Sequence, residues 1–248
     1  HGLHPDEKLL IKALDVCELS SHKGVIQEVQ KQWGPVDILV NNAGISYRGA
    51  LEHMSVLDEE RQMTVNYLGP MSLVREVLPE MRKRKSGRII NVSSVGGMMA
   101  MPTMGSYSAS KWALEGASES LWYELRPWDI RVSLIQPGFI RSDSFRRVNF
   151  PVGYEDSSTW GPYRQHYLNM GRFVERLMGL SFSSSNDVAR VIVKTLGKSK
   201  PKLRVAATMD ARVFYLMRRF LPRVFYHRFL YECLPGKSKW GCDESTKP

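Results

Sequence analysis

Tyr107 and Lys111 stand four residues apart, and Ser94 precedes the tyrosine by thirteen. Residues four apart on a helix share one face, a turn above each other. The run Gly105-Ser-Tyr-Ser-Ala-Ser-Lys-Trp-Ala-Leu-Glu reads as the start of such a helix. A phenol, an ammonium and a hydroxyl gathered in that way form an acid–base site, able to move a proton while a hydride goes on or off a carbonyl. A tyrosine ordinarily titrates near ~10. A lysine cation beside it and the positive end of a helix both favour the phenolate, so the spacing predicts a lowered Tyr107.

The pattern needs elements that position it, and the sequence supplies them in order. Asn41-Asn42-Ala43-Gly44 follows the apolar strand-like run at 36–41. Asn66 lies in a long helical stretch over 56–84, with a bend expected near Gly69-Pro70 because proline withholds a backbone donor. Residues 88–93 read as a buried strand leading to Ser93 and Ser94, 106–126 as a helix, and 130–136 as a strand closed by Pro137-Gly138. Upstream, 9–16 reads as a short buried strand ending on Asp15 and Val16, and 20–33 as a helix stopped by Gly34-Pro35. Downstream come a helix over 186–196, a turn at 198–202 and a last strand at 203–207. Strands alternating with helices imply parallel crossovers, hence an α/β fold with a doubly wound parallel sheet of Rossmann-like type.

In the order and spacing of these motifs the chain resembles the short-chain dehydrogenase/reductase family over roughly residues 9 to 208. The resemblance implies that Tyr107 is the general acid/base, that Lys111 holds the nicotinamide ribose and lowers the tyrosine, and that Ser94 hydrogen-bonds the substrate oxygen. Ser93 competes for that role, but strand alternation turns it to the other face. Asn66 matches the asparagine that holds a relay water; an asparagine simply bonded to backbone is the alternative. Gly44 lets the backbone approach the adenosine ribose. Ala43 belongs to the same turn, and Asn42 helps hold the sheet there. Asp15 and Val16 match adenine-contacting positions, although Asp15 also reads as an acid at a strand end. Pro137, Gly138, Ile140 and Ser142 match the run that holds the nicotinamide carboxamide, with Ser142 where threonine is usual. The implied cofactor is NADP or NAD, the former favoured.

One departure is large. The family opens with a strand and a glycine-rich turn that cradles the pyrophosphate at a helix N-terminus, and residues 1–16 hold nothing similar. In the implied strand order 3-2-1-4-5-6-7, two strands between 9–14 and 36–41 are missing. The expectation is a fold truncated at the N-terminus, a fragment or shortened isoform, with an exposed apolar strand edge, weak dinucleotide binding and poor folding.

Residues 139–185 lack strand character and are rich in large side chains, among them Phe145, Tyr154, Trp160, Tyr167 and Met178. They read as a substrate lid closing a catalytic domain of residues 1–208. The net charge is +10, and thirteen Lys/Arg against four Asp/Glu fall from Lys194 onward. Residues 209–248 therefore form a basic extension, amphipathic over 209–234 and divided by Pro222. It suits a membrane surface, or packing over the substrate mouth or on a second subunit with snorkelling arginines. The end of the chain is similar to the 17β-hydroxysteroid and retinol dehydrogenase branch. The implied activity is NAD(P)-dependent interconversion of an alcohol with its ketone or aldehyde on a hydrophobic substrate, a steroid, a retinoid or another lipid-like molecule. A catalytically inactive truncated isoform, or a binding or scaffold protein without cofactor, is the alternative.

A homodimer or tetramer paired through the long helices is expected. No nucleic-acid partner is expected, since no recognised module accompanies the basic tail. Three cysteines, Cys17, Cys233 and Cys242, are too few and too irregular for a disulfide framework or metal site. No signal peptide or run of about 18 apolar residues is visible. The expected location is the cytoplasm or an intracellular membrane.

Overall fold

A computed structural model describes residues 9–141 and 148–241. Four strands, β1 (Ile38–Asn41), β2 (Gly87–Val92), β3 (Ile130–Gln136) and β4 (Arg204–Ala206), lie side by side in chain order, all parallel. Parallel neighbours require crossovers, and α3 (Gly69–Arg84), α4 (Gly105–Glu124) and α6 (Ser185–Leu196) supply them. Alternation along the strands splits the core into two layers. Ile89 and Leu134 point to one face, where they meet Val74 and Val77 of α3, Leu114 of α4 and Ile26 of α1 (His22–Trp33). Ile90 and Ile135 point to the other, where Val188, Val191 and Ile192 of α6 cover them. The sheet is thus doubly wound, as the alternation of elements predicts.

The expected strand over 9–16 does not form; these residues are irregular, with Ile11 and Leu14 exposed. A strand needs a neighbour for its N–H and C=O groups, and among the described residues β1 pairs only with β2. Apolar content alone could not make this segment a strand. Its end is used differently. The Val16 carbonyl packs so closely on the head of α3 that a Cβ on Gly69 would lie 2.4 Å from it. Ile38 and Val40 of β1 are exposed, so this apolar edge is open as expected.

The long helix over 56–84 is interrupted just before the expected point. After α2 (Val56–Met63), residues Thr64–Leu68 widen into a π-helical turn, and α3 resumes at Gly69. Pro70 has no N–H to give to the carbonyl four residues earlier, and a π turn is the local adjustment that absorbs the gap. The described residues of 139–185 are more regular than their composition suggests. They contain α5 (Arg164–Leu180), which buries Tyr167, Met170 and Val174 on one stripe. The tail forms α7 (Met209–Phe220) and α8 (Arg223–Glu232), separated at Pro222.

A polar ladder runs through the core. Asn41 Nδ2 donates to Asn91 Oδ1 (2.8 Å), and Asn91 Nδ2 donates to Ser118 Oγ (2.8 Å), joining β1, β2 and α4. Asn91 and Ser118 are fully buried. The Asn91-Val-Ser93 glycosylation-like triplet is therefore a structural element and not a surface acceptor. An Asn91→Ala variant leaves Asn41 and Ser118 without that partner, and each abandoned buried group costs about 1–3 kcal/mol. Urea unfolding should show a loss of about 2–4 kcal/mol; a loss below about 0.5 kcal/mol would contradict this role for the ladder.

Candidate active site

The C-terminal ends of β1, β2 and β3 open onto a cleft of about 720 Å³. Parallel strands place their following loops on one edge, where ligands bind in doubly wound sheets. Ser94, Tyr107 and Lys111 all line this cleft, together with Asn42, Gly44, Pro137, Gly138 and Ile140. Its remaining surface is largely apolar, with Met99, Met101, Met104, Val174 and Met178 among the lining residues. The last two come from α5, so the segment expected to cover a substrate contributes to the wall.

Ser94 follows β2 and caps a short turn, its hydroxyl accepting from the Gly96 N–H (3.1 Å). Gly96 is required here for space: a Cβ would lie 2.8 Å from Tyr107 Cε1. Ser93 also borders the cleft, but its hydroxyl packs against Gly97, on which a Cβ would lie 2.6 Å from it. Tyr107 sits in the first turn of α4. Burial pushes its phenol above the ordinary value, while a hydrogen bond with Ser94 pulls it back. Lys111, one turn on, is buried and donates to the Val92 carbonyl (2.9 Å). Burial lowers it to about 8, against the opposing pull of Glu115.

The expectation of a lowered Tyr107 is thus reversed. The ammonium is spent on the end of β2, 6.0 Å from the tyrosine ring centre, and burial of the phenol sets the direction against the pull of Ser94.

Asn66 is placed by the π turn and is fully buried. Its Oδ1 accepts from the Ile45 N–H (2.9 Å), and its Nδ2 donates to the Ile45 carbonyl and to Ser110 Oγ (both 2.9 Å). Ser110 in turn donates to the Tyr107 carbonyl (2.7 Å). Asn66 therefore ties the Gly44–Ile45 turn to the helix of Tyr107. Gly44 fits between the two: a Cβ on it would meet Asn66 Oδ1 at 3.3 Å and Lys111 Nζ at 3.6 Å. Gln62, one turn before Asn66, grips the same loop through the Ile45 carbonyl (2.6 Å) and the Tyr47 N–H (2.9 Å).

Other expected residues fall elsewhere. Asn42 is exposed at the cleft, and the sheet-holding amide is that of Asn41. Ala43 is exposed beside it and does not line the cleft. Asp15 is exposed and caps its own turn by accepting from the Cys17 N–H (2.9 Å). Neither Asp15 nor Val16 lines the cleft. Ser142 lies outside the described residues. The residues present therefore fit the nicotinamide end of a dinucleotide, with Lys111, Pro137, Gly138 and Ile140 all lining the cleft beside Tyr107. The adenine end has no comparable cradle among the described residues.

Sequence reasoning missed Gln62, Asn91 and Ser118, and also Thr208 and Asp210, which touch the Gly138–Phe139 backbone. Only Thr208 left a signal, as a hydroxyl placed before a helical run.

Residues 3–151 match a family model described as short chain dehydrogenase. Retinol dehydrogenase 8 of Bos taurus is 36% identical over 205 residues, which is 80% of this chain and 64% of that protein. A short-chain dehydrogenase from Streptomyces avermitilis superposes with a TM-score of 0.73 at 30% identity, over 90% of this chain and 78% of its own. A short-chain dehydrogenase/reductase from Burkholderia phymatum, solved in complex with NAD, does so with a TM-score of 0.68 at 25% identity, over 83% and 72%. The chain spans about half to two thirds of the length of the first curated relatives it matches, from 49% to 66%.

The depressed lysine has a measurable consequence. Its pKa is about 8 in the folded chain against 10.5 as the ordinary value. Between those values the unfolded chain binds the proton and the folded chain does not, so stability rises with pH across that window; below it, the full burial penalty applies. A Lys111→Met variant has no amine to titrate there. Urea unfolding at pH 7 and pH 9.5 should show wild type gaining on the variant by roughly 2 kcal/mol. A gap independent of pH would rule the depressed amine out.

Proposed function

This chain belongs to the short-chain dehydrogenase family, and we propose that it interconverts an alcohol with its ketone or aldehyde on an apolar substrate, with NAD or NADP as partner. The observation that carries this reading is the convergence of Ser94, Tyr107 and Lys111 on one apolar-walled cleft. When bound, the dinucleotide supplies or accepts the hydride. The chain's own groups handle the oxygen and its proton. Ser94 holds the substrate oxygen by a hydrogen bond, and Tyr107 gives its proton to that oxygen in reduction or takes it in oxidation. A phenol raised by burial is protonated at neutral pH, which is the state that donation to a carbonyl requires. In this reading Lys111 holds the nicotinamide ribose, the Gly44 backbone approaches the adenosine ribose, and Pro137–Ile140 hold the ring's amide. Asn66 maintains the turn and the helix in register. As a relay residue it would act through water, since its own amide already bonds Ile45 and Ser110.

The methionine-rich wall favours a substrate with a large apolar body, because Met adapts to irregular hydrocarbon shapes. That agrees with the retinol named in one relative, and a steroid or other lipid alcohol fits the same chemistry. Tyr107→Phe should lower turnover of such an alcohol or ketone by about 10²–10⁴ while leaving dinucleotide binding, followed by its fluorescence, unchanged. Undiminished turnover in the variant would sink the assignment. A wild-type chain that fails to enhance NADH or NADPH fluorescence would favour the alternative, a binding protein without cofactor, to which the displaced Asp15 and Val16 lend weight.

The tail supports a contact with a lipid surface. Val213, Leu216, Phe220, Val224, Phe225 and Phe229 are exposed on α7 and α8, with Arg212, Arg219 and Arg228 also exposed on these helices. Among the described residues no helix is long and apolar enough to cross a membrane, so the reading is adsorption at the headgroup level. Phe220→Asp/Phe225→Asp should weaken co-sedimentation with phosphatidylserine vesicles at least about tenfold, since each buried phenyl contributes ~1.5 kcal/mol or more. Equal sedimentation of the two proteins would refute this contact.

A further inference from the structure

We infer that Thr208 and Asp210 are positioning residues for the reaction: from the first turn of α7 they fix the Gly138–Phe139 backbone in the wall of the cleft. The inference rests on the oxidoreductase reading above. Past Gln136 the chain leaves the sheet, and the next N–H groups lose their strand partners. An N–H left unpaired in a buried position is costly. Here both are satisfied by side chains 70 and 71 positions later in the chain: Gly138 N–H donates to Thr208 Oγ1 (2.9 Å), and Phe139 N–H donates to Asp210 Oδ2 (2.7 Å). The second bond has a carboxylate acceptor and is the stronger kind.

Thr208 is buried and serves twice, since its hydroxyl also accepts from the Ala211 N–H (3.4 Å) and so caps α7. Starting the helix and holding the loop are one arrangement. Asp210 also explains Gly138. A Cβ there would lie 2.1 Å from Asp210 Oδ2 and 2.4 Å from its Cγ. The glycine makes room for the carboxylate that grips its neighbour.

The opposite side of the loop is tied to the catalytic serine. The Pro137 carbonyl accepts from the Val95 N–H (2.8 Å), the residue after Ser94. β4 follows alongside, with the Ala207 N–H donating to the Gln136 carbonyl (2.9 Å). Ser181 Oγ closes the frame on the Phe139 carbonyl (2.6 Å). Without Thr208 and Asp210, the Pro137–Ile140 wall keeps its anchor near Ser94 but loses the one toward the tail. Displacements of about 1 Å at a reacting centre cost on the order of 10²-fold in rate, so the carboxylate bears on catalysis without touching substrate.

The test compares Asp210→Ala, Asp210→Asn and Thr208→Ser with wild type in the full chain. Amide hydrogen exchange is read at Phe139 and Gly138, with Ile89 and Leu134 in the sheet as internal controls. Asp210→Ala should speed exchange at Phe139 about tenfold or more, as expected for losing a bond to a charged acceptor, with the controls unchanged. Turnover should fall about tenfold or more with little change in KM for substrate, and Asp210→Asn, which keeps an oxygen acceptor, should recover part of both. Thr208→Ser should behave as wild type at Gly138. Unchanged exchange at Phe139, equal acceleration throughout the sheet, or loosened exchange with unchanged turnover would each overturn the inference. A wild-type chain without turnover would instead overturn the oxidoreductase reading on which the inference rests. The two failures are distinguishable because the exchange measurement needs no activity.

Discussion

The site depends on the register of α4 against β2. Two contacts fix it. Lys111 donates to the Val92 carbonyl, and Ser118 accepts from Asn91, the residue just before. Lys111 and Ser118 are seven apart, two turns on one helix face. Adjacent positions of one strand therefore pin two turns of the helix, and the first of those pins is itself a candidate catalytic group. A slip of α4 by one residue would rotate Tyr107 by about a quarter turn or more, away from Ser94 and from the space that Gly96 leaves for its ring. The same register places Ser110 against Asn66, so the loop after β1 is fixed relative to the phenol through a third contact. Buried polar groups of this kind specify one alignment because every alternative leaves a donor or acceptor unpaired.

That constraint explains the electrostatics. A buried lysine used as a structural donor carries its desolvation cost in its own pKa, which falls to about 8. The same enclosure raises the neighbouring phenol. In the arrangement seen here the two groups are shifted in opposite directions past each other, the lysine down from 10.5 to about 8 and the tyrosine up from 10.0. Each shift favours the neutral form of its group, which is what withdrawal from water does to an acid and to a base alike. Glu115, one turn past Lys111, is buried and held by Arg204 and Gln136 (2.8 and 2.9 Å). It opposes the fall of the lysine without neutralising its burial.

Much of this was legible in the sequence because it is local. The four-residue spacing of Tyr107 and Lys111 is a helix property, and the alternation of Ile89 with Ile90 is a strand property. Strand and helix periods alone recovered β1 to β4 and the helices between them except α5. What was not legible depends on partners distant in the chain. The segment 9–16 has a strand's composition but, among the described residues, does not pair with β1 to β4. Asn41 and Asn42 are the same residue type, and only the path of β1 decides which amide turns inward. The lysine was expected to serve the phenol, and the Val92 carbonyl that claims it is invisible in a one-dimensional pattern. The stripe of Tyr167, Met170 and Val174 has helical spacing, yet the surrounding aromatic residues hid it.

The relation between the tail and the catalytic domain follows from the same contrast. By charge, residues after Lys194 look like an appendage, since +9 of the +10 net charge falls there. By packing, α7 begins inside the site. Ala211 is fully buried against the turn after Ser94, where it meets Val95, Met98 and Met99, and Arg218 stacks on Trp112 of α4 (4.6 Å). Charge is carried by side-chain ends that reach solvent, whereas anchoring is done by small or short residues near the backbone. A basic composition therefore says where a segment faces outward and nothing about how firmly its inner face is held. In this chain the outward face is apolar and cationic, while the inward face reaches the loop that walls the cleft. One helix thus connects an exposed apolar and cationic surface with the Gly138–Phe139 backbone in the wall of the cleft.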